Sequence, residues 1–222
     1  MNKLLLTLSL VFLTTFSFAQ TVNFGVKAGI NLSTVAFNDP LPNFAYDAQN
    51  ITGFQAVVVA NIGFQHLDIQ PGLFFITKGQ KFTEEESIPN NNQNYSVHVT
   101  GSQKFNYLEL PVNFLYKIQV TPGTKIRAGG GPYLGYGLSG TTIIHITGSQ
   151  TSNYTGGVTF GTDEAKNDYK RFDYGVNFTT GVELKKHFTI DLNYGLGLKN
   201  IMWTRGADLK NRSLALSIGY LF

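Results

Sequence analysis

The sequence predicts an all-β protein, an eight-stranded antiparallel up-and-down transmembrane β-barrel. Three observations predict it. Eight segments alternate apolar with polar or small residues at a period of two. The connections between them alternate between tight turns and long stretches. No apolar face carries a charge, although 14% of the residues are charged. A lysine or arginine at mid-bilayer costs about 2–4 kcal/mol, so this exclusion has a physical cause.

The first segment, about 22–33, sets Phe24, Val26, Ala28, Ile30 and Leu32 against Asn23, Lys27, Asn31 and Ser33. The second, about 52–63, carries valine on both faces, which leaves its phase open. The third, about 65–78, opposes Leu67, Ile69, Leu73 and Phe75 to His66, Asp68, Gln70 and Lys78. The fourth, about 104–118, opposes Leu108, Leu110, Val112, Phe114 and Tyr116 to Tyr107, Glu109, Asn113 and Lys117. The fifth, about 124–139, opposes Ile126, Leu134, Tyr136 and Leu138 to Lys125, Arg127 and Tyr133.

The sixth, about 170–184, places Phe172, Tyr174, Val176, Phe178 and Val182 against Arg171, Asp173, Asn177 and Glu183. The seventh, about 188–199, places Phe188, Ile190, Leu192 and Tyr194 against Asp191, Asn193 and Lys199. The eighth alternates Leu214, Leu216, Ile218, Tyr220 and Phe222 with Ser213, Ala215, Ser217 and Gly219. Short turns fall at about Gly63–Phe64, 119–123 and 185–187; the stretches 34–51, 79–103, 140–169 and 200–212 are long. In an outer-membrane barrel that rhythm places both termini and the turns in the periplasm.

At the front, Lys3 precedes an apolar run and Ser17-Phe18-Ala19 supplies small residues three apart. Residues 1–19 are read as a cleaved signal peptide and 20–222 as the barrel domain. Removing Lys3 leaves 16 basic and 14 acidic residues, too even a balance to argue for nucleic acid. There is no cysteine, hence no disulfide framework.

An eight-stranded barrel is just wide enough for side chains to fill it. The inward set is expected to be Lys27, Asp68, Glu109, Lys117, Lys125, Arg127, Arg171, Asp173, Glu183, Asp191 and Lys199, with His66 also inward. Buried charges persist when paired. Asp173 is expected to pair with Lys199. Lys117, Lys125 and Arg127 should meet Asp68, Glu183 and Asp191 across the lumen, giving a plugged core. Aromatics should form two girdles: Phe24, Tyr116, Phe188, Tyr220 and Phe222 at the periplasmic ends, and Phe75, Tyr136, Phe172, Tyr174 and Trp203 at the outer ends. The alternating stretches 95–100 and 141–147 predict that strands three to six protrude above the membrane.

Several stretches resemble a known family: 24–33, 70–79, Tyr107-Leu-Glu-Leu-Pro-Val-Asn113, Gly129-Gly-Gly-Pro-Tyr-Leu-Gly-Tyr136 and Ser217-Ile-Gly-Tyr-Leu-Phe222. Together they are similar to the outer-membrane β-barrel domain family typical of Bacteroidota, the PorT-like group. The resemblance implies a small barrel of about eight strands and supplies no catalytic residues.

The expected location is the bacterial outer membrane. The expected partners are outer-membrane lipids, the barrel-insertion machinery acting on the C-terminal strand, and a surface partner reached through 79–103 and 140–169. No nucleic acid, metal or cofactor is expected, and the chain should be a monomer. Two rivals stand beside this reading. A barrel lipid hydrolase would need a nucleophile and a histidine base within reach near the lipid interface. A soluble barrel binding an apolar ligand would invert the faces, placing the charges outside.

Overall fold

The computed structural model of the protein describes residues 21–38, 47–90, 93–148, 151–203 and 207–222. The expected signal peptide, 1–19, lies outside them. Eight long strands carry the fold: β1 Thr21–Asn38, β2 Ile51–Gly63, β3 Leu67–Asn90, β4 Gln93–Thr121, β5 Thr124–Thr147, β6 Phe172–Leu184, β7 Phe188–Gly197 and β8 Asp208–Leu221. Each pairs antiparallel with the next in sequence. β8 then returns to β1, from Gly25 opposite Leu221 to Asn38 opposite Asp208, which closes the ring. Closure leaves no free edge within the ring, as a bilayer requires of strands.

The short turns fall where turn chemistry puts them. Phe64 N–H donates to the Leu67 carbonyl at 2.7 Å. Gly123 takes φ +92°, which suits glycine in the tight β4–β5 turn. Lys185 and Lys186 both take positive φ, the requirement of a type I′ hairpin, and His187 N–H closes it on the Leu184 carbonyl at 3.1 Å.

The charge-free face is the outer one. Leu110 is 55% exposed, Phe178 51% and Leu192 43%, whereas Arg127 is 0% and Glu183 4% exposed. A soluble barrel with an apolar interior would show the reverse. The β2 phase is settled in the same sense: Val57 and Val59 are buried with Phe74 and Leu221, while Phe54 and Val58 face outward.

At the end away from the turns the sheet outgrows the ring. β3 and β4 run on as one hairpin to Asn90 opposite Gln93. β5 follows β4 to Thr147 opposite His98. A bulge at Leu138, between the pairs Tyr107–Gly137 and Asn106–Ser139, swaps the parity of β5 beyond it. Thr141, Ile143 and His145 thereby turn outward.

The expectation that strand six also protrudes is corrected. β6 begins at Phe172, and a separate strand, Ser152–Val158, takes the edge of β5 instead. The cause is local. Thr159 N–H and its hydroxyl both donate to the Asp168 carboxylate at 2.7 Å. That clasp folds 159–168 back, and Phe160–Gly161 pairs in parallel with Tyr169–Lys170.

Glycines at the β4–β5 seam follow from close approach. A Cβ on Gly131 would collide with the Val112 carbonyl, and one on Gly129 with that of Phe114. Gly131→Ala is therefore expected to destabilise the barrel by about 1–3 kcal/mol. Urea unfolding in detergent micelles checks it, and an unchanged midpoint would show that the seam relaxes.

Candidate functional site

The interior is where the sequence concentrates its charge, because a side chain pointing away from lipid on an eight-stranded ring has only the lumen to enter. Five cations (Lys27, Lys78, Lys117, Lys125, Arg127) and five carboxylates (Asp68, Glu109, Asp173, Glu183, Asp191) fill it in two layers among the described residues. The set is formally neutral.

The layer nearer the turns centres on Asp191. Its carboxylate takes Lys27 Nζ at 2.8 Å and Arg127 Nη2 at 2.7 Å, tying β7 to β1 and β5. Arg127 Nη1 lies 4.0 Å from Glu183, which also holds Lys125 at 2.9 Å. Lys117 pairs with Asp68 at 2.6 Å. Lys27 Nζ donates in addition to Gln70 Oε1 at 3.0 Å, and Gln70 Nε2 to Asn61 Oδ1 at 3.1 Å. Lys125 and Glu183 are directly opposed in register, so their pairing needs no reach across the lumen.

The second layer centres on Lys78. Its ammonium contacts Glu109, lies 3.7 Å from Asp173 and sits 4.7 Å from the centre of the Tyr133 ring. Asp173 accepts from Tyr133 Oη at 3.2 Å and Asn211 Nδ2 at 2.9 Å. A void of about 10 Å³ separates the layers, room for about one water.

Above the second layer the interior turns apolar. Phe105 and Tyr107 from β4 pack on Phe160, ring centres 5.7 and 5.5 Å apart, and Tyr169 lies 4.9 Å from Phe105. Ile201, Leu209 and Val35 complete this cap. Burial pushes the Tyr169 phenol above its ordinary pKa. Hollows of about 550 Å³ at the turn end, lined by Lys117, Lys125 and Glu183, and about 330 Å³ at the far end remain open on either side.

Three inward assignments are corrected. Arg171 precedes β6 and turns to the outer surface, where Nη1 donates to Tyr136 Oη at 2.8 Å and Nε to the Phe160 carbonyl at 2.9 Å. Lys199 lies beyond β7 with its ammonium 5.6 Å from the centre of the Tyr174 ring, so it does not pair with Asp173. Both stand just past a strand end, where strict alternation no longer fixes side-chain direction. His66 belongs to the β2–β3 turn, exposed beside Tyr116.

Lys78 takes the place assigned to Lys199. Its signal was present, since it shares parity with Asp68 and Gln70. The apolar cap had a weaker one: Phe105 and Tyr107 share parity with Glu109, but Phe160 and Ile201 lie in connections with no period to read.

The outward aromatics cluster by end. Phe188, Tyr220 and Phe222 form successive edge contacts at 5.3 and 5.4 Å, with His187 stacked on Tyr220. Phe24 and Tyr116 are exposed near the same end. Tyr136 and Phe172 meet at 5.5 Å towards the other, as do Phe54 and Phe75. Trp203 is corrected out of this group. It lines the 330 Å³ hollow with Gln103, Thr142 and Tyr154, and Lys170 Nζ lies 5.4 Å from its ring centre. It follows the last turn of the cap, not a lipid-facing strand.

A closed ring with a charge-free exposed face and an ion-paired lumen defines an outer-membrane type of β-barrel. Residues 18–202 match the outer membrane protein beta-barrel domain family, and the chain belongs to that family. It is accordingly a protein of the bacterial outer membrane. Among solved structures it is similar to Ail, the attachment invasion locus protein of Yersinia pestis, at 12% identity and TM-score 0.40, over 90% of this chain and 98% of that one. It is also similar to Neisserial surface protein A, at 12% identity and TM-score 0.36, over 91% and 99% respectively. No curated protein matches its sequence.

Proposed function

We propose that this is a non-enzymatic surface barrel of the Bacteroidota PorT-like kind, which conducts no solute and works through the sheet that rises beyond its ring. The turns and both termini face the periplasm, and the β3–β4 hairpin with the end of β5 faces the medium. The observation that carries the reading is the neutral, paired interior beneath an apolar cap, which leaves no continuous aqueous path. The raised sheet supports a partner-binding role, because the exposed edge strand Ser152–Val158 offers unpaired backbone groups to an incoming strand.

In planar bilayers the purified barrel is expected to give no solute-sized conductance steps; such steps would overturn the sealed interior. The chain has no cysteine, so single replacements report topology cleanly. Asp163→Cys should react with an impermeant maleimide on intact cells, and Thr121→Cys should not; the opposite pattern would invert the orientation. Deleting 84–100 and 143–165 should abolish partner binding at the surface. If every surface phenotype survived, the binding role would fail while the sealed barrel stood.

A further inference from the structure

Following each outward face from the turns to the far end, the apolar side chains stop and the first charged residue is always basic. On β3 it is Lys81, on β4 Lys104 and on β8 Arg212. Arg171 precedes β6 and Lys199 follows β7, each against an outward tyrosine. The β1, β2 and β5 strands carry no lysine, arginine or carboxylate on this face at this level, and the short strand Asp47–Gln49 places Asp47 opposite Thr83, two residues beyond Lys81. The chain holds 17 basic and 14 acidic residues, so a cation as the first charge at all five places is a one-sided outcome.

None of the five has a carboxylate partner among the described residues, and two are held in place by neutral groups. Arg212 Nη1 donates to the carbonyls of Gly197 at 2.6 Å and Asn211 at 2.9 Å, which leaves its Nε and Nη2 edge unoccupied. That edge is the one that grips a phosphate with two parallel hydrogen bonds. Arg171 is fixed by the Phe160 carbonyl and Tyr136, and its guanidinium lies 5.3 Å from the Tyr136 ring centre. Cations fixed without counter-ions at the border between an apolar band and water sit where lipid phosphates lie.

We infer that this rim is a binding site for the phosphate headgroups of membrane lipid, with Arg171, Lys199 and Arg212 as its core. On the orientation proposed above, the lipids are the phosphorylated glycolipids of the outer leaflet. Arg212 supplies the bidentate edge, while Arg171, whose Nε and Nη2 are taken by the Phe160 carbonyl and Nη1 by Tyr136, and Lys199 supply fixed positive charge, a combination that suits a headgroup bearing more than one phosphate.

The test places the full mature barrel in nanodiscs doped with bis-phosphorylated lipid A, the same lipid stripped of phosphate, or neither. Bound lipid is counted by native mass spectrometry after release. The phosphorylated lipid should be retained and the stripped lipid lost, and millimolar inorganic phosphate should not displace it. Arg171→Gln with Lys199→Gln and Arg212→Gln should weaken retention about tenfold or more. Lys185→Gln with Lys186→Gln, at the turn end, should leave it unchanged. Equal retention of both lipids, or indifference to the triple change, would overturn the site. Because nanodiscs expose both leaflets, that outcome is independent of which end faces the medium, which the maleimide labelling decides.

Discussion

Asp191→Ala is expected to remove about 3–5 kcal/mol from the stability of the barrel, the cost of leaving buried charges without their partner. Asp191 is fully buried and is the one carboxylate that both Lys27 and Arg127 contact, from β1 and β5. Deleting it strands two cations in a lumen with too little room for the water that would solvate them. Adding Lys27→Met to Asp191→Ala should restore about 1 kcal/mol or more, because it removes one of the two stranded cations and leaves only Arg127, which keeps the Glu183 contact at 4.0 Å. Urea unfolding in micelles, followed by the heat-modifiable gel shift, reads both variants. If Asp191→Ala cost less than about 0.5 kcal/mol, the interior would be wet, and the sealed barrel would fail with it.

The contrast between what was legible and what was not follows from alternation. Within a strand, a period of two fixes every side chain once one is placed, so Lys27, Asp68, Lys117, Arg127, Glu183 and Asp191 could be put inside from the sequence. The outward set, from Phe24 to Phe222, was legible for the same reason. Arg171 and Lys199 lie one residue outside β6 and in the first residues beyond β7, where the pleat stops constraining direction, and both turned out to the aromatic rim. The cap was hidden differently. Phe160 and Ile201 sit in connections with no period to read, and the Thr159–Asp168 clasp, a contact nine residues apart, together with the Phe160–Gly161 pairing and the Arg171 hydrogen bond, brings Phe160 onto Tyr107. A bulge at Leu138 reversed the faces of the end of β5, and nothing in a run of small and β-branched residues announces such a slip.

Placing a charge in the middle of the apolar band should have the other large effect. Phe178 lies midway along β6, opposite Tyr194 on β7 and Gly130 on β5, with half its surface outward. Phe178→Arg is expected to destabilise the folded barrel in bilayers by about 2–4 kcal/mol. The loss from shortening the side chain is read separately from Phe178→Ala, so the difference between the two belongs to the charge. Phe24→Arg, close to the turn end of β1, should cost only about 0–1 kcal/mol, because water and headgroups reach that depth. Folding yields into lipid vesicles, scored by resistance to detergent before boiling, measure all three. A protein interior or plain solvent against this face would predict no such gradient: arginine in water is cheap at either position, and arginine in a packed core is costly at both. Equal penalties at Phe178 and Phe24 would therefore take the lipid away from the apolar surface, while a steep fall from the first to the second locates the hydrocarbon between the two aromatic levels.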